Sequence, residues 1–167
     1  MDVVAPAHGP PVGFVIPLFL LYLNTGLIDT WFGLIAAYMV LTLPLVVWSS
    51  WTSMSQVPNE LIEASLLDGA TLFQTLWKIV LPAARPGVVA TAVLAFLIAW
   101  NDFFFALIIT RSDTVTAPVA IMNFVSYATV DWGSIALASV ALTLPTVPVI
   151  IFANKYIVQS LGGAVKG

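Results

Sequence analysis

A polar stretch at residues 59–86, NELIEASLLDGATLFQTLWKIVLPAARP, separates two long apolar parts of the chain. It has Gly69 near its centre and Pro82 near its end. Its carboxylates are Glu60, Glu63 and Asp68. An ordered polar connection of this length between apolar segments is typical of a surface on one face of a membrane, where a soluble protein can contact it.

The composition indicates that the bilayer is the solvent of this chain. Of the 167 residues, 60% are hydrophobic and 8% are charged, whereas a soluble domain carries about 25% charged residues. The small net charge of −3 indicates no nucleic-acid partner, which would require a basic surface. There is no cysteine and His8 is the single histidine, so we expect no metal site. No Lys or Arg precedes the first apolar run, so we expect no cleavable signal peptide.

Four stretches lack charge almost completely, and they lie at residues 12–28, 31–54, 86–110 and 132–154. A helix that crosses the hydrocarbon needs about 20 residues, so the last three are long enough and the first is marginal. The runs do not alternate between apolar and polar residues, as barrel strands do. Because lipid offers no hydrogen-bond partners, continuous apolar segments must be helical. We therefore predict an all-α membrane protein with about four transmembrane helices, the first of them partial.

The distribution of cations predicts the orientation of these helices. Lys78 and Arg85 belong to the polar connection, and Lys155 and Lys166 belong to the C-terminal tail, whereas the connection at residues 111–131 holds Arg111 alone. Because short cytoplasmic loops are enriched in Lys and Arg, the polar connection and the C-terminus should be cytoplasmic. The segment at residues 112–131 should face outward.

Two short helices fit the polar connection. The first should run from about Pro58 or Asn59 to Asp68, since proline suits the first helical turn, and should stop at Gly69, where a left-handed residue ends a helix. Thr71 and Gln74 have the spacing of a capping box for the second helix, which should run to about Val80. Pro82 disfavours helix at the residue before it and should set a bend. An amphipathic pair could rest on lipid headgroups instead, but such helices prefer Lys and Arg, so the excess of carboxylates favours a protein partner.

The spacing within this connection resembles a known motif. Glu63-Ala64-Ser65, three residues, Gly69, nine residues and Ile79-Val80-Leu81-Pro82 match the EAA loop of membrane subunits of bacterial ABC importers, with Ser65 in place of the second alanine. Flanking segments at residues 16–19, 27–30, 66–70, 99–103 and 163–167 are similar to carbohydrate-uptake permeases of the maltose-transporter (MalG-like) type. The resemblance extends from about residue 11 to residue 167.

The resemblance implies a six-helix type I importer permease fold, of which residues 1–167 would form the C-terminal portion as a single transmembrane domain. Residues 59–82 would be the EAA coupling loop, seated in a cleft of a cytoplasmic ATPase. Glu63 would meet a basic group there, Ala64 and Ser65 would stay small for close approach, and Gly69 would provide the turn. The implied ATPase-coupling residues are Glu63, Ala64, Ser65, Asp68, Gly69, Ile79, Leu81 and Pro82.

The implied function is a permease subunit of a binding-protein-dependent importer, for a sugar, in the bacterial inner membrane. Its partners would be an ABC ATPase dimer, a second permease subunit, an extracytoplasmic sugar-binding protein and membrane lipid. Asn101 and Asp102 are polar groups within a span, which usually face protein or water, and Trp100 could offer a ring to a sugar. We therefore predict pathway contacts at these three residues. Alternatively, they bond only to neighbouring helices, and the sugar contacts lie mainly on the partner permease.

Catalytic apparatus is missing from the sequence. It has no G-x-x-x-x-G-K-[ST] phosphate loop, so ATP should be bound by a separate subunit and the chain should carry no cofactor. Without Cys and with one His, the common nucleophile–base pairs are unavailable, so we expect no catalytic residues and no enzyme. Because relatives of this type have six spans, the resemblance also predicts a truncated N-terminus. The alternative function is therefore a non-transporting membrane protein that only docks on ATPase or permease partners.

Overall fold

The structure, a computed structural model, describes residues 11–126 and 130–164. Within these ranges the regular elements are helical, and the only strand-like feature is an isolated antiparallel bridge between Val125 and Val130. The predicted all-α fold is confirmed.

The helices follow one another with short connections. In chain order they are α1 (Pro11–Thr25), α2 (Trp31–Ser55), α3 (Asn59–Leu67), α4 (Leu72–Thr75), a π turn (Leu76–Val80), α5 (Leu81–Ala83), α6 (Arg85–Trp100), α7 (Phe104–Ile109), α8 (Ala117–Ala120), a 3-10 turn (Ile121–Phe124), α9 (Trp132–Thr143) and α10 (Thr146–Ala164).

Two segments of the described chain are long and apolar enough to cross a membrane, namely Trp31–Ser55 and Trp132–Tyr156. A third span results if Leu72–Ala83 and Arg85–Trp100, which meet at 75°, are counted together. The shorter apolar helix Val15–Thr25 corresponds to the predicted partial span.

The ends of α2 support its assignment as a span. Trp31 and Trp51 are both largely exposed and are about 30 Å apart along a regular helix. That distance matches the hydrocarbon thickness of about 30 Å. Tryptophan is enriched at the two membrane interfaces, so this pair suits the boundaries of the bilayer.

The prediction of one continuous helix over residues 86–110 was wrong. Helix α6 ends at Trp100, and α7 begins at Phe104. The side-chain amide of Asn101 donates to the Leu97 carbonyl at 2.8 Å, and the Asp102 carboxylate accepts the Ala106 N–H at 3.1 Å. The Asp102 carboxylate thus replaces a carbonyl acceptor that the backbone of a continuous helix would supply. The Asn101 amide adds a second donor to the Leu97 carbonyl, which also accepts the Asn101 backbone N–H at 3.1 Å.

The described chain divides into two compact units. The first contains residues 11–39, 102–126 and 130–135. Its core lies where α1 packs on α7, and its buried members are Tyr22, Leu34, Ala37, Ala106 and Ile109. The Tyr22 hydroxyl donates to the Gly33 carbonyl at 3.0 Å, which ties α1 to α2. Gly33 has no room for a Cβ, which would collide with the Leu27 carbonyl oxygen.

The second unit contains residues 40–101 and 136–164. Helix α10 packs along α6, and the Trp100 indole N–H donates to the Leu142 carbonyl at 3.1 Å. Gly87 lies so close to Ser53 that a Cβ would overlap with its side chain. This unit also carries the predicted coupling loop, at its connection between α2 and α6.

Candidate functional site

The candidate site is a helical elbow formed by residues 59–83, hereafter the elbow. Its first arm, α3, follows Pro58, which has extended backbone (φ −57°, ψ 133°). Glu60 lies in the first turn of α3, where a carboxylate interacts favourably with the positive end of the helix dipole. Of the two predicted starts, the structure has Asn59, and Pro58 precedes the helix and does not form its first turn.

The turn between the arms is a Schellman motif. The Ala70 N–H donates to the Ser65 carbonyl and the Gly69 N–H donates to the Leu66 carbonyl, both at 3.0 Å. Gly69 has φ +82°, in the left-handed region that glycine adopts without strain. The prediction that Gly69 ends the first arm is confirmed.

The second arm begins with the predicted capping box. The Gln74 N–H donates to the Thr71 hydroxyl oxygen at 3.3 Å, and the Thr71 N–H donates to Gln74 Oε1 at 3.0 Å. Two backbone donors that the helix leaves unpaired are thus satisfied reciprocally. The start of the second arm is therefore fixed independently of any other contact.

The end of the second arm differs from the prediction. Helical backbone continues through the π turn, Leu81 and Pro82 to Ala83, and the bend of 75° follows at Ala84. Leu81 keeps helical angles (φ −65°, ψ −44°) although proline follows it. The π turn directly before Pro82 replaces the regular bond pattern that a proline disrupts. Proline therefore does not end this helix, and the elbow extends to residue 83.

Ser65 and Thr75 connect the two arms inside the elbow. Both side chains are buried, and their hydroxyl oxygens are 2.8 Å apart. Because the Ser65 hydroxyl donates its single proton to the Ile62 carbonyl at 2.7 Å, Thr75 is the donor in the contact between the two hydroxyls. The serine that replaces alanine in the EAA pattern therefore faces the second arm.

The outer surface of the elbow combines carboxylates with large apolar side chains. Glu63, Ala64 and Asp68 are exposed. The most exposed large apolar residues of the elbow, with their exposed fractions, are Leu67 (89%), Leu72 (75%), Phe73 (70%) and Trp77 (55%). Of the remaining predicted coupling residues, Gly69 and Pro82 are exposed, and Ile79 and Leu81 are half-buried.

The three predicted pathway residues lie at the break between α6 and α7. Trp100 is half-buried, and its ring stacks on Phe96 at 5.6 Å between centroids. Asn101 is exposed, and Asp102 is half-buried and interacts with the Tyr38 hydroxyl. Each of the three thus makes at least one polar bond within the protein.

A second polar cluster, which sequence patterns did not predict, centres on Asp29 in the connection between α1 and α2. Its carboxylate accepts hydrogen bonds from four consecutive residues, 111–114. The separation of more than 80 residues explains why local spacing carried no signal for it. A positive φ of 55° at an aspartate is its one unusual local feature. Among the described residues, no three His, Cys, Asp or Glu side chains form a metal site.

Comparison with known proteins identifies the family. Residues 9–162 match the family of binding-protein-dependent transport system inner membrane components. The trehalose transport system permease protein SugB of Mycobacterium tuberculosis is 39% identical over 162 residues, which cover 95% of this chain and 59% of SugB. The trehalose/maltose transport system permease protein MalG of Thermococcus litoralis is 38% identical, with 95% of this chain and 58% of MalG covered.

A third relative, the sulfoquinovosyl glycerol transport system permease protein SmoH of Agrobacterium fabrum, is 30% identical, with 99% of this chain and 59% of SmoH covered. The chain thus spans less than two thirds of the length of these relatives. All three relatives are named as transport permeases, and the apolar helices support an inner-membrane, multi-pass location. The resemblance to carbohydrate-uptake permeases is confirmed, and the chain belongs to the family of binding-protein-dependent transport system inner membrane components.

Proposed function

We propose that the chain is a membrane-spanning permease subunit of a binding-protein-dependent ABC importer for a carbohydrate. It couples ATP hydrolysis by a separate cytoplasmic subunit to movement of the solute through the membrane. The observation that carries this proposal is the elbow, a hydrogen-bonded helical pair with an exposed surface of mixed carboxylate and large apolar side chains.

The elbow suits a protein partner better than a lipid surface. Its exposed apolar side chains would rest on headgroups only if cations surrounded them, because interfacial helices carry Lys and Arg on their polar face. The elbow has Glu60, Glu63 and Asp68 against Lys78. Anionic headgroups repel this net negative charge, whereas a basic cleft on an ATPase attracts it.

The stiffness of the elbow suits the transmission of motion. The Schellman turn, the capping box and the contact between Ser65 and Thr75 each fix one part of it. The continuous helical backbone from Leu72 to Ala83 then leads directly to the bend before α6. A displacement of the elbow by closing ATPase subunits therefore reaches α6 without being absorbed by a loose loop. Nucleotide would shift the population between inward-open and outward-open states in this way.

The coupling residues divide into two roles. Glu63, Ala64 and Asp68, on the exposed surface, contact the ATPase, and Glu63 pairs with a basic group there. Ser65, Gly69, Ile79, Leu81 and Pro82 keep the shape of the elbow. The elbow and the C-terminus are cytoplasmic in this proposal, in agreement with the positions of Lys78, Arg85 and Lys155.

The proposed solute class follows from the relatives, which are named for transport of trehalose, trehalose or maltose, and sulfoquinovosyl glycerol. The further partners are a second permease subunit and an extracytoplasmic binding protein, and the chain itself catalyses no reaction. Asn101 is the best placed of the three pathway residues, because it is exposed and uses one amide hydrogen for Leu97. Its remaining amide groups suit sugar hydroxyls, with Trp100 and Asp102 beside it.

Uptake of radiolabelled trehalose and maltose by the native host tests this function. Glu63→Lys, placed in the chromosomal gene, should abolish uptake while the protein remains at its normal level in the membrane fraction. Glu63→Gln keeps the size of the side chain and should retain part of the uptake. Normal uptake by Glu63→Lys would refute the coupling role. If deletion of the gene leaves uptake of every sugar tested unchanged, and the chain copurifies with an ATPase from the parent strain, the alternative of a docking protein without transport is correct.

A further inference from the structure

The Asp29 carboxylate is held by the start of the outward segment. It accepts the backbone N–H groups of Arg111 at 2.9 Å and of Ser112, Asp113 and Thr114 at 3.0 Å each. The Thr114 hydroxyl donates to it at 2.8 Å. A single side chain thus satisfies four successive backbone donors that no helix or strand would otherwise pair.

The backbone of Asp29 binds the same segment. Its N–H donates to the Ile109 carbonyl at 2.9 Å, at the end of α7. Asp29 has φ 55° and is the only non-glycine residue with positive φ in the described part of the chain. A non-glycine residue adopts this unfavourable conformation only where surrounding contacts hold it. Here residues 109–114 bind both the main chain and the side chain of Asp29.

Both ends of this contact are anchored in the first unit. Thr114 is 2% exposed and Ile109 is 3% exposed. On the other side, the Thr30 hydroxyl accepts the Gly33 N–H at 3.0 Å and donates to the Leu27 carbonyl at 2.8 Å, so the residue after Asp29 fixes the start of α2. The contact therefore joins the end of α7 to the connection between α1 and α2.

The charge of Asp29 is maintained in this environment. The hydrogen bond from Asp113, and those from Arg111, Thr114 and Ser112, hold the pKa of the Asp29 carboxyl well below its usual range. A lowered folded-state pKa contributes stability that is fully present above the unfolded pKa of about 3.9 and is lost only as the pH falls below it. Acidification within the physiological range therefore does not release the contact.

We infer that Asp29 is a positioning residue that holds residues 111–114 in place and thereby presents residues 115–126 of the outward segment in one conformation to an extracytoplasmic protein. The inference rests on the proposed function, which supplies that protein. The segment ends in partly exposed apolar side chains, those of Met122 (48%), Phe124 (39%) and Val125 (45%), which suit a protein contact. Holding the segment in advance lowers the entropy lost when the partner binds.

The inference is tested in the complete reconstituted transporter, by titrating the ATPase rate with its binding protein. Asp29→Gly keeps the backbone conformation accessible but removes the carboxylate. We expect the half-maximal concentration of binding protein to rise by about fivefold, the scale of ordering one or two further side chains on binding, with little change in the maximal rate. Asp113→Asn is the matched control. It removes one negative charge from the segment that Asp29 holds, but Asp113 bonds to Asp29 through its backbone N–H and not through its side chain. This variant should therefore behave as the parent.

A spin label provides a second measurement that does not depend on activity. The chain has no cysteine, so Asn123→Cys provides a unique attachment site on the exposed part of the outward segment. The label should become more mobile in Asp29→Gly and remain unchanged in Asp113→Asn. An unchanged half-maximal concentration together with unchanged label mobility in Asp29→Gly would overturn the inference. If the parent itself shows no stimulation by the binding protein, the proposed function fails, while the mobility measurement still decides the role of Asp29.

Discussion

Replacing Ser65 with alanine restores the residue of the EAA pattern but should loosen the elbow of this chain. Thr75 is 3% exposed, and its hydroxyl donates to the Ser65 hydroxyl oxygen at 2.8 Å. Without Ser65 it stays buried with no acceptor, which costs about 1–3 kcal/mol. Thr75→Val leaves Ser65 bonded to Ile62 and should therefore cost only about 1 kcal/mol.

The double variant separates this pair from the rest of the elbow. With Ser65→Ala and Thr75→Val together, two apolar side chains of similar shape meet, a replacement that can be nearly neutral. We therefore expect a coupling energy of about 1–2 kcal/mol between the two positions, within the range for residues in direct contact.

Hydrogen exchange measured by mass spectrometry on the purified protein gives the opening free energy of the elbow directly. Protection of the amides at residues 65–75 should fall about tenfold in Ser65→Ala, since 1.4 kcal/mol is a factor of ten, and should largely return in the double variant. Helix α2 serves as the internal reference and should keep its protection. Strictly additive effects of the two substitutions would refute the paired arrangement of the hydroxyls.

Three further predictions concern other parts of the fold. Gly33→Ala should destabilise the protein by about 1–3 kcal/mol through overpacking, seen as a lower thermal midpoint, whereas Gly13→Ala, whose Cβ meets nothing within 4 Å, should leave the midpoint unchanged or raised. Thr71→Ala should lower the stability of the second arm by about 1 kcal/mol because it removes the N-cap side chain. Thr71→Ser keeps a hydroxyl and should leave that stability unchanged. Hydrogen exchange of residues 72–76 measures both effects. The hydrogen bonds from Ser134 lower the pKa of Asp131, so their stabilisation should be complete above the unfolded pKa of about 3.9 and lost below it. Protection of the amides at the start of α9, taken as the exchange rate relative to the intrinsic rate at each pH, should therefore fall on acidification in the parent and stay constant in Asp131→Asn. The same fall in protection in that variant would contradict the assignment.

The elbow was readable from sequence because its signals are local. Gly69 and the pair Thr71 and Gln74 act within one turn of the chain, and spacing alone specifies the bonds they make. The long apolar runs likewise indicate spans because the bilayer sets their length. These are the parts of the fold that composition and spacing determine.

The remaining features depend on contacts that spacing does not encode. Ser65 and Thr75 meet across a turn, and the simple pattern assigns Ser65 to the surface. The helix continues past Pro82 because a π turn precedes it, and a proline rule applied to the sequence predicts the opposite. Asp29 is bound by residues more than 80 positions away, so only the tertiary fold reveals it.

In the proposed function, the elbow contacts a nucleotide-hydrolysing subunit on the cytoplasmic side of the membrane. A photo-crosslinking amino acid placed at Ala64, which is exposed on α3, tests this contact in the assembled transporter. Ala64 should capture an ATPase subunit with a yield that changes when ATP is added, and the same group at Asn123, on the outward segment, should not. Capture of lipid alone at Ala64, or capture of the ATPase at Asn123, would refute the proposed contact between the elbow and the ATPase.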